Sequence, residues 1–135
     1  MSTFPLQIGT PDGLLFEGDV ARVVCRSITG DLAILAGHCN FCTALGMGEA
    51  HVVMEDGTRR EAACIGGMLS VEKELVTLVA TTFEWAEDID TARAQASYER
   101  AQKVLHSKNA SQVELKLAEA RLKRALVRRG VAAGQ

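Results

Sequence analysis

Four arginines stand at spacings that could do chemistry. Arg93 and Arg100 lie seven residues apart and Arg124 and Arg128 four apart, so each pair shares one face of an α-helix. If those faces meet in a folded hairpin, four guanidiniums converge, an arrangement that like charges disfavour unless an anion sits among them. Guanidinium forks suit bidentate phosphate contacts. A solvated basic face would produce the same spacing without any ligand. His38-Cys39-x-x-Cys42 supplies two thiolates and an imidazole, three positions of a tetrahedral zinc site. A second Cys-x-x-Cys pair is missing, Cys25 or Cys64 would have to arrive from another strand, and the commoner reading of free cysteines is core packing. His51 falls in a strand and His106 near a helix end, where an exposed strand face and a C-terminal cation account for them. There is no Gly-x-x-x-x-Gly-Lys-Ser/Thr loop, no Gly-x-Ser-x-Gly elbow and no His-Glu-x-x-His helix.

The elements that must position these residues change character along the chain. From Thr3 to Ala80 short strands are predicted: Phe4-Leu6-Ile8, Leu14-Phe16, Val20–Cys25, Leu32–Leu35, Phe41–Leu45, His51–Met54, Thr58–Ile65, Met68–Val71 and Leu75–Ala80. Pro11-Asp12-Gly13 turns, Asp56-Gly57 marks a tight hairpin, and Gly66-Gly67 marks a bend or close backbone contact. About eight to ten short strands at such spacing predict a β-sandwich or barrel. After Glu84-Trp85 the period becomes helical, through Ala94, Tyr98, Ala101 and Leu105, then Leu115, Ala118, Leu122, Ala125 and Leu126. The first helix is predicted to start near Asp88 to Asp90 and to fray around His106 to Asn109. Ser111 with Glu114 forms a capping box that opens the second, and Gly130 is predicted to close it. The short connection makes the pair an antiparallel hairpin. Its alanine-rich faces bury little area, so it should be marginally stable alone and could serve as a switch.

The 135 residues, 47% apolar and 24% charged, fit one ordinary globular domain or two small ones and exclude disorder as the main state. Residues 1–88 hold five Lys+Arg against thirteen Asp+Glu, whereas residues 89–135 hold ten against four. Such asymmetry points the C-terminal part toward an anion or an acidic surface. Nucleic acid is disfavoured because the helical segment has one aromatic, Tyr98, and lacks stacking platforms. The uncharged stretch between Asp31 and Glu49 is broken by glycines, His38 and Asn40 and reads as strands and loops, not a membrane span. No secretory pattern opens the sequence, so reduced cysteines and a cytoplasmic compartment are the expectation.

Across essentially its whole length the sequence resembles the epsilon subunit of the F-type ATP synthase. The resemblance is carried in order by Thr10-Pro11-Asp12-Gly13, Phe16-x-Gly18, Gly30-Asp31-Leu32-Ala33-Ile34-Leu35-x-Gly37-His38, Thr43-Ala44-Leu45, Gly66-Gly67-Met68-Leu69-x-Val71 and Val76-Thr77-Leu78-Val79-Ala80. It implies a β-sandwich domain over residues 1–86, a regulatory helical hairpin over 87–135, and a non-catalytic central-stalk subunit with no required cofactor. Implied partners are the gamma subunit, the c-ring and, with the hairpin extended, the alpha and beta subunits. The complex would couple catalysis to proton or sodium translocation at the cytoplasmic face of a bacterial membrane. The c-ring contact maps to Ser27, Thr29, Gly30 and Asp31, with His38 close by in the next matching loop. The hairpin is similar to the subset that binds ATP as a regulatory ligand, through Ile89-Asp90-Thr91-Ala92-Arg93-Ala94. That similarity assigns Glu84, Ile89, Asp90, Arg93, Ala94, Arg100, Arg124 and Arg128 to ATP. Where the family usually has Pro-Gly-His-Ala-Pro, this chain reads Ala36-Gly37-His38-Cys39-Asn40, losing two prolines, and Cys39 and Cys42 bring two thiols. A free-standing nucleotide sensor and a zinc or thiol-redox module are the alternatives.

Overall fold

The computed structural model describes residues 2–134. The backbone divides after Trp85 into two compact units. The first holds six strands: β1 (Phe4–Thr10), β2 (Gly13–Ser27), β3 (Gly30–Leu35), β4 (Phe41–Met54), β5 (Arg59–Glu72) and β6 (Leu75–Trp85). They are hydrogen-bonded in the order β1-β6-β5-β4-β2-β3, and β1 also pairs with β2, which closes the sheet on itself. All pairings are antiparallel except β1 with β6, where Leu6 to Gly9 run alongside Val76 to Val79.

Six strands replace the eight to ten short ones expected, because three of them are 14 or 15 residues long and pass through the expected breaks. Leu14-Phe16 and Val20–Cys25 are one strand, β2. Its first half pairs with β1 and its second with β3 and β4, so it bridges both layers of the sandwich. Gly18, in the gap expected between them, stays in the strand, where the Phe16 ring lies 3.4 Å from the place a Cβ would take. Phe41–Leu45 and His51–Met54 likewise merge into β4 through Gly46 and Gly48. Gly66 (φ 70°) and Gly67 (φ 120°) bend β5 without ending it. At Gly67 a Cβ would collide with the carbonyl of Val79 on β6, so close approach of two backbones dictates glycine there.

Alternating residues from every strand fill the interior: Leu6 and Ile8 from β1, Val20, Val23 and Cys25 from β2, Ile34, Val52, Leu69, Val76 and Leu78. Phe83 and Trp85 close one end edge to face, with centroids 5.1 Å apart, and Phe16 meets Trp85 at 6.0 Å. The guanidinium of Arg60 lies 3.8 Å from the Trp85 ring centroid.

The second unit begins with a 3-10 turn (Ala86–Asp88), followed by α1 (Thr91–Leu105) and α2 (Gln112–Ala133). Asp90 caps α1 by accepting from the Arg93 amide at 3.0 Å, and Ser111 caps α2 by accepting from the Glu114 amide at 3.1 Å. The Ser111 hydroxyl also meets Oε1 of Glu114 at 3.2 Å. The C-terminal expectation fails: α2 runs through Gly130 and is capped by Gly134. An exposed glycine inside a helix costs only about 1 kcal/mol, too little to stop a helix whose next residue, Val131, is fully buried.

Candidate functional site

In the hairpin, buried alanines recur at seven-residue spacing on both helices: Ala94 and Ala101 on α1, Ala118 and Ala125 on α2. They form the seam. Arg129, near the end of α2, reaches back to hold its guanidinium 4.4 Å from the Tyr98 ring centroid on α1, while Gln102 donates to the Tyr98 hydroxyl at 2.8 Å. Arg93 and Arg100 each precede a buried alanine by one residue, as Arg124 precedes Ala125, and Arg128 follows Ala125 by three. At about 100° per residue, all four are rotated to the same side of the seam. In an antiparallel pair, same-side positions flank one another, so the four belong to one flank of the hairpin. Tyr98 and Arg129 occupy the other.

Arg93 and Arg100 are exposed, whereas Arg124 and Arg128 are half-buried. Arg100 donates to the Ser97 hydroxyl at 3.3 Å. The remaining residues of the Ile89-to-Ala94 motif have local duties. Ile89 and Ala94 are both buried, at the positions that staple a helix start, one before the cap and one in its first turn. One oxygen of Asp90 is taken by the cap. Arg93, like Thr91, is exposed. Glu84 lies in the β unit, on β6 opposite Ala63 of β5, and is half-buried and engaged.

The loop assigned to the c-ring is built around Ser27. That residue is buried, its hydroxyl donates to the Gly30 carbonyl at 2.7 Å and accepts from the Thr29 amide at 3.2 Å, and it lies 3.1 Å from the Thr29 hydroxyl. Gly30 takes φ 132°, which only glycine adopts freely. Asp31 is held by Arg26 at 3.1 and 3.4 Å in a two-pronged pair. What the loop presents outward is Ile28, 70% exposed at its tip, a residue the sequence reading passed over. An isoleucine flanked by Ser27 and Thr29 in a turn was the available signal. His38 is half-buried, with its ring tilted against Phe41 at 5.1 Å and Nδ1 2.9 Å from the Cys39 carbonyl. Asn40 accepts from the Lys73 amide at 3.0 Å.

Core packing holds for two cysteines. Cys25 and Cys64 are buried, and burial first pushes their thiols up to about 11 and about 12. The other two, Cys39 and Cys42, are exposed, because they fall in the loop before β4 and on the outer face of its first residues. Among the described residues, no group of three or more His, Cys, Asp or Glu side chains is placed to hold a metal ion.

Two family models match the chain, the ATP synthase delta/epsilon chain beta-sandwich domain over residues 3–86 and the delta/epsilon chain long alpha-helix domain over residues 87–132. It is 39% identical over 130 residues, 96% of this chain and 94% of the relative, to the ATP synthase epsilon chain of Caldanaerobacter subterraneus subsp. tengcongensis. The epsilon chain of an Exiguobacterium species is also 39% identical, over 95% of this chain and 94% of its own. A chain of the Euglena gracilis mitochondrial ATP synthase OSCP/F1/c-ring assembly shares the fold, with TM-score 0.84 at 22% identity, over all of this chain and 83% of that one. With both units matched and relatives aligned nearly end to end, the chain belongs to the epsilon chains of ATP synthase, central-stalk subunits of that complex and not its catalytic ones.

Proposed function

We propose that the β unit anchors the subunit to gamma and the c-ring while the hairpin senses ATP and sets whether hydrolysis is restrained. The observation that carries this reading is the flank with Arg93, Arg100, Arg124 and Arg128 on a hairpin held by alanines. A triphosphate would supply counter-charge to this flank, where Arg93 and Arg100 are exposed and Arg128 is already engaged. Asp90 keeps the first turn of α1 in place beneath Arg93, and Glu84 serves the adenine side. The c-ring contact lies on the loop of Ser27, Thr29, Gly30 and Asp31, with Ile28 at its tip and His38 in the next loop. The complex works at the cytoplasmic face of a bacterial membrane, coupling catalysis to proton or sodium translocation. No helix among the described residues is long and apolar enough to cross a membrane.

Magnitudes decide that a ligand can control the hairpin. The four buried alanine methyls of the seam contribute roughly 3 kcal/mol at ~0.8 kcal/mol each, beside the buried Val131 of α2. A ligand at a hundred times its Kd adds about 2.7 kcal/mol to the form that binds it. The two quantities are of one order, so nucleotide well above its Kd favours the compact hairpin, and depletion frees the basic helices for the acidic alpha and beta surfaces. Only the difference in affinity between the two forms drives the change.

Calorimetric titration of the full chain with ATP tests this. Replacing Arg93 and Arg124 together by glutamine should weaken binding by about tenfold or more, with the near-ultraviolet signal of Trp85 unchanged. Undiminished affinity would remove those arginines from the site.

A further inference from the structure

The β unit has an open cavity of about 330 Å³ lined by Ser2, Ala21, Arg22, Leu35, Ala36 and Val53. Its floor is a row of three side chains on adjacent strands: Arg22 of β2 lies opposite Leu35 of β3 on one side and Val53 of β4 on the other. A bulge creates the arrangement. The pairing of β2 with β4 slips between Val20 and Arg22, so Val20 and Ala21 are both buried and Arg22 turns to the outer face. There its Nε is shielded from solvent and has no hydrogen-bond partner. The other arginines of the unit are engaged: Arg26 with Asp31, Arg59 with Glu61, Arg60 with Trp85. His51 sits diagonally across from Arg22 on the same face, and its Nε2 is also buried without a partner. On β5, Arg59 lies opposite Val53 and Glu61 opposite His51. The face thus carries Arg22, His51 and Arg59 with one carboxylate, Glu61, which already pairs with Arg59 at 3.2 Å, and Arg22 stands at its other side beside Leu35, which is 55% exposed.

A buried guanidinium nitrogen without a partner is costly, and a carboxylate is the group that matches it. The cavity is open and its walls are aliphatic, which suits a short acidic side chain entering from a neighbouring protein whose apolar surface then covers Leu35. We propose that the Arg22 cavity receives an acidic side chain of the protein on which the β unit docks; this rests on the reading above, in which that protein is gamma. A central charged pair desolvated by an apolar rim has the anatomy of an interface anchor.

The test measures binding of the full chain to a purified alpha-beta-gamma subcomplex lacking it. Arg22→Gln should weaken binding by about tenfold or more, chiefly through faster dissociation. Lys73→Gln removes the same charge elsewhere on the β unit and should change it less than about twofold. Leu35→Asp, at an exposed position safe for folding, sets a like charge beside the incoming carboxylate and should weaken binding as much as Arg22→Gln. Wild-type binding with both cavity variants equal to Lys73→Gln overturns the cavity proposal alone. Absence of wild-type binding overturns the docking reading and this proposal together.

Discussion

His51 carries the clearest pH signature in the molecule. Burial first, then Arg59 on β5 and Arg22 on β2, hold its imidazole below the ordinary value of 6.5, with Glu61 opposing them. A histidine held low in the folded state takes up its proton more readily when unfolded. Stability is therefore full above about pH 6.5 and falls as pH drops below it. The urea midpoint should fall between about pH 7.5 and pH 5, and His51→Gln should flatten that fall. Identical slopes in the two proteins would show that the loss arises elsewhere. The four arginines of the hairpin were legible from spacing alone, because helical phase is local arithmetic. Arg22 and His51 were not. Their meeting depends on a bulge and on strand pairing between β2 and β4, which no local pattern encodes. Ile28 escaped because an exposed apolar residue in a turn looks like noise until the loop around Ser27 is seen to hold it outward.

Among the elements, the helix starts were readable from their chemistry and the strands only in part. Asp90 and Ser111 announce themselves by the donors they satisfy, and both cap as expected. Asp90→Ala should cost about 1 kcal/mol of hairpin stability, seen as lower helical signal and faster exchange of the amides of Ala92 and Arg93, while the β unit keeps its thermal midpoint. Loss of the β unit alongside it would mean that the cap does more than start α1. Strand ends were harder because glycine punctuates in two ways. At Gly57 (φ 90°) it makes the turn expected between β4 and β5, with Asp56 accepting from the Thr58 amide at 2.9 Å. At Gly18, Gly46 and Gly48 the same residue sits inside a continuous strand, leaving room for a ring or an arginine stem. The Arg26 stem lies close over Gly48, within 2.7 Å of where a Cβ would be. Only the facing strand distinguishes the two uses.

At the scale of the whole molecule, the acidic first unit and the basic second one differ in how they are held. The β unit has a contiguous core of large aliphatic and aromatic side chains, whereas the buried residues of the two helices are four alanines and Val131. Their local stabilities should differ accordingly. Amide exchange of the full chain should show α1 and α2 opening well before the β core, and ATP should slow exchange in the helices by about tenfold or more. Protection that rises equally in both units would argue against a hairpin site. The last strand supplies the link between them. β6 runs directly into the 3-10 turn and α1, and it is bonded on one side to β5 and on the other to β1, running parallel to the latter. A pull on the helices first meets Ala80 to Trp85, laddered to β5 alone, and only then Val76 to Val79, which β5 and β1 hold from both sides. The doubly bonded stretch is the stop: load that peels the end of β6 from β5 must break two ladders at once to go further, which guards the core beneath it.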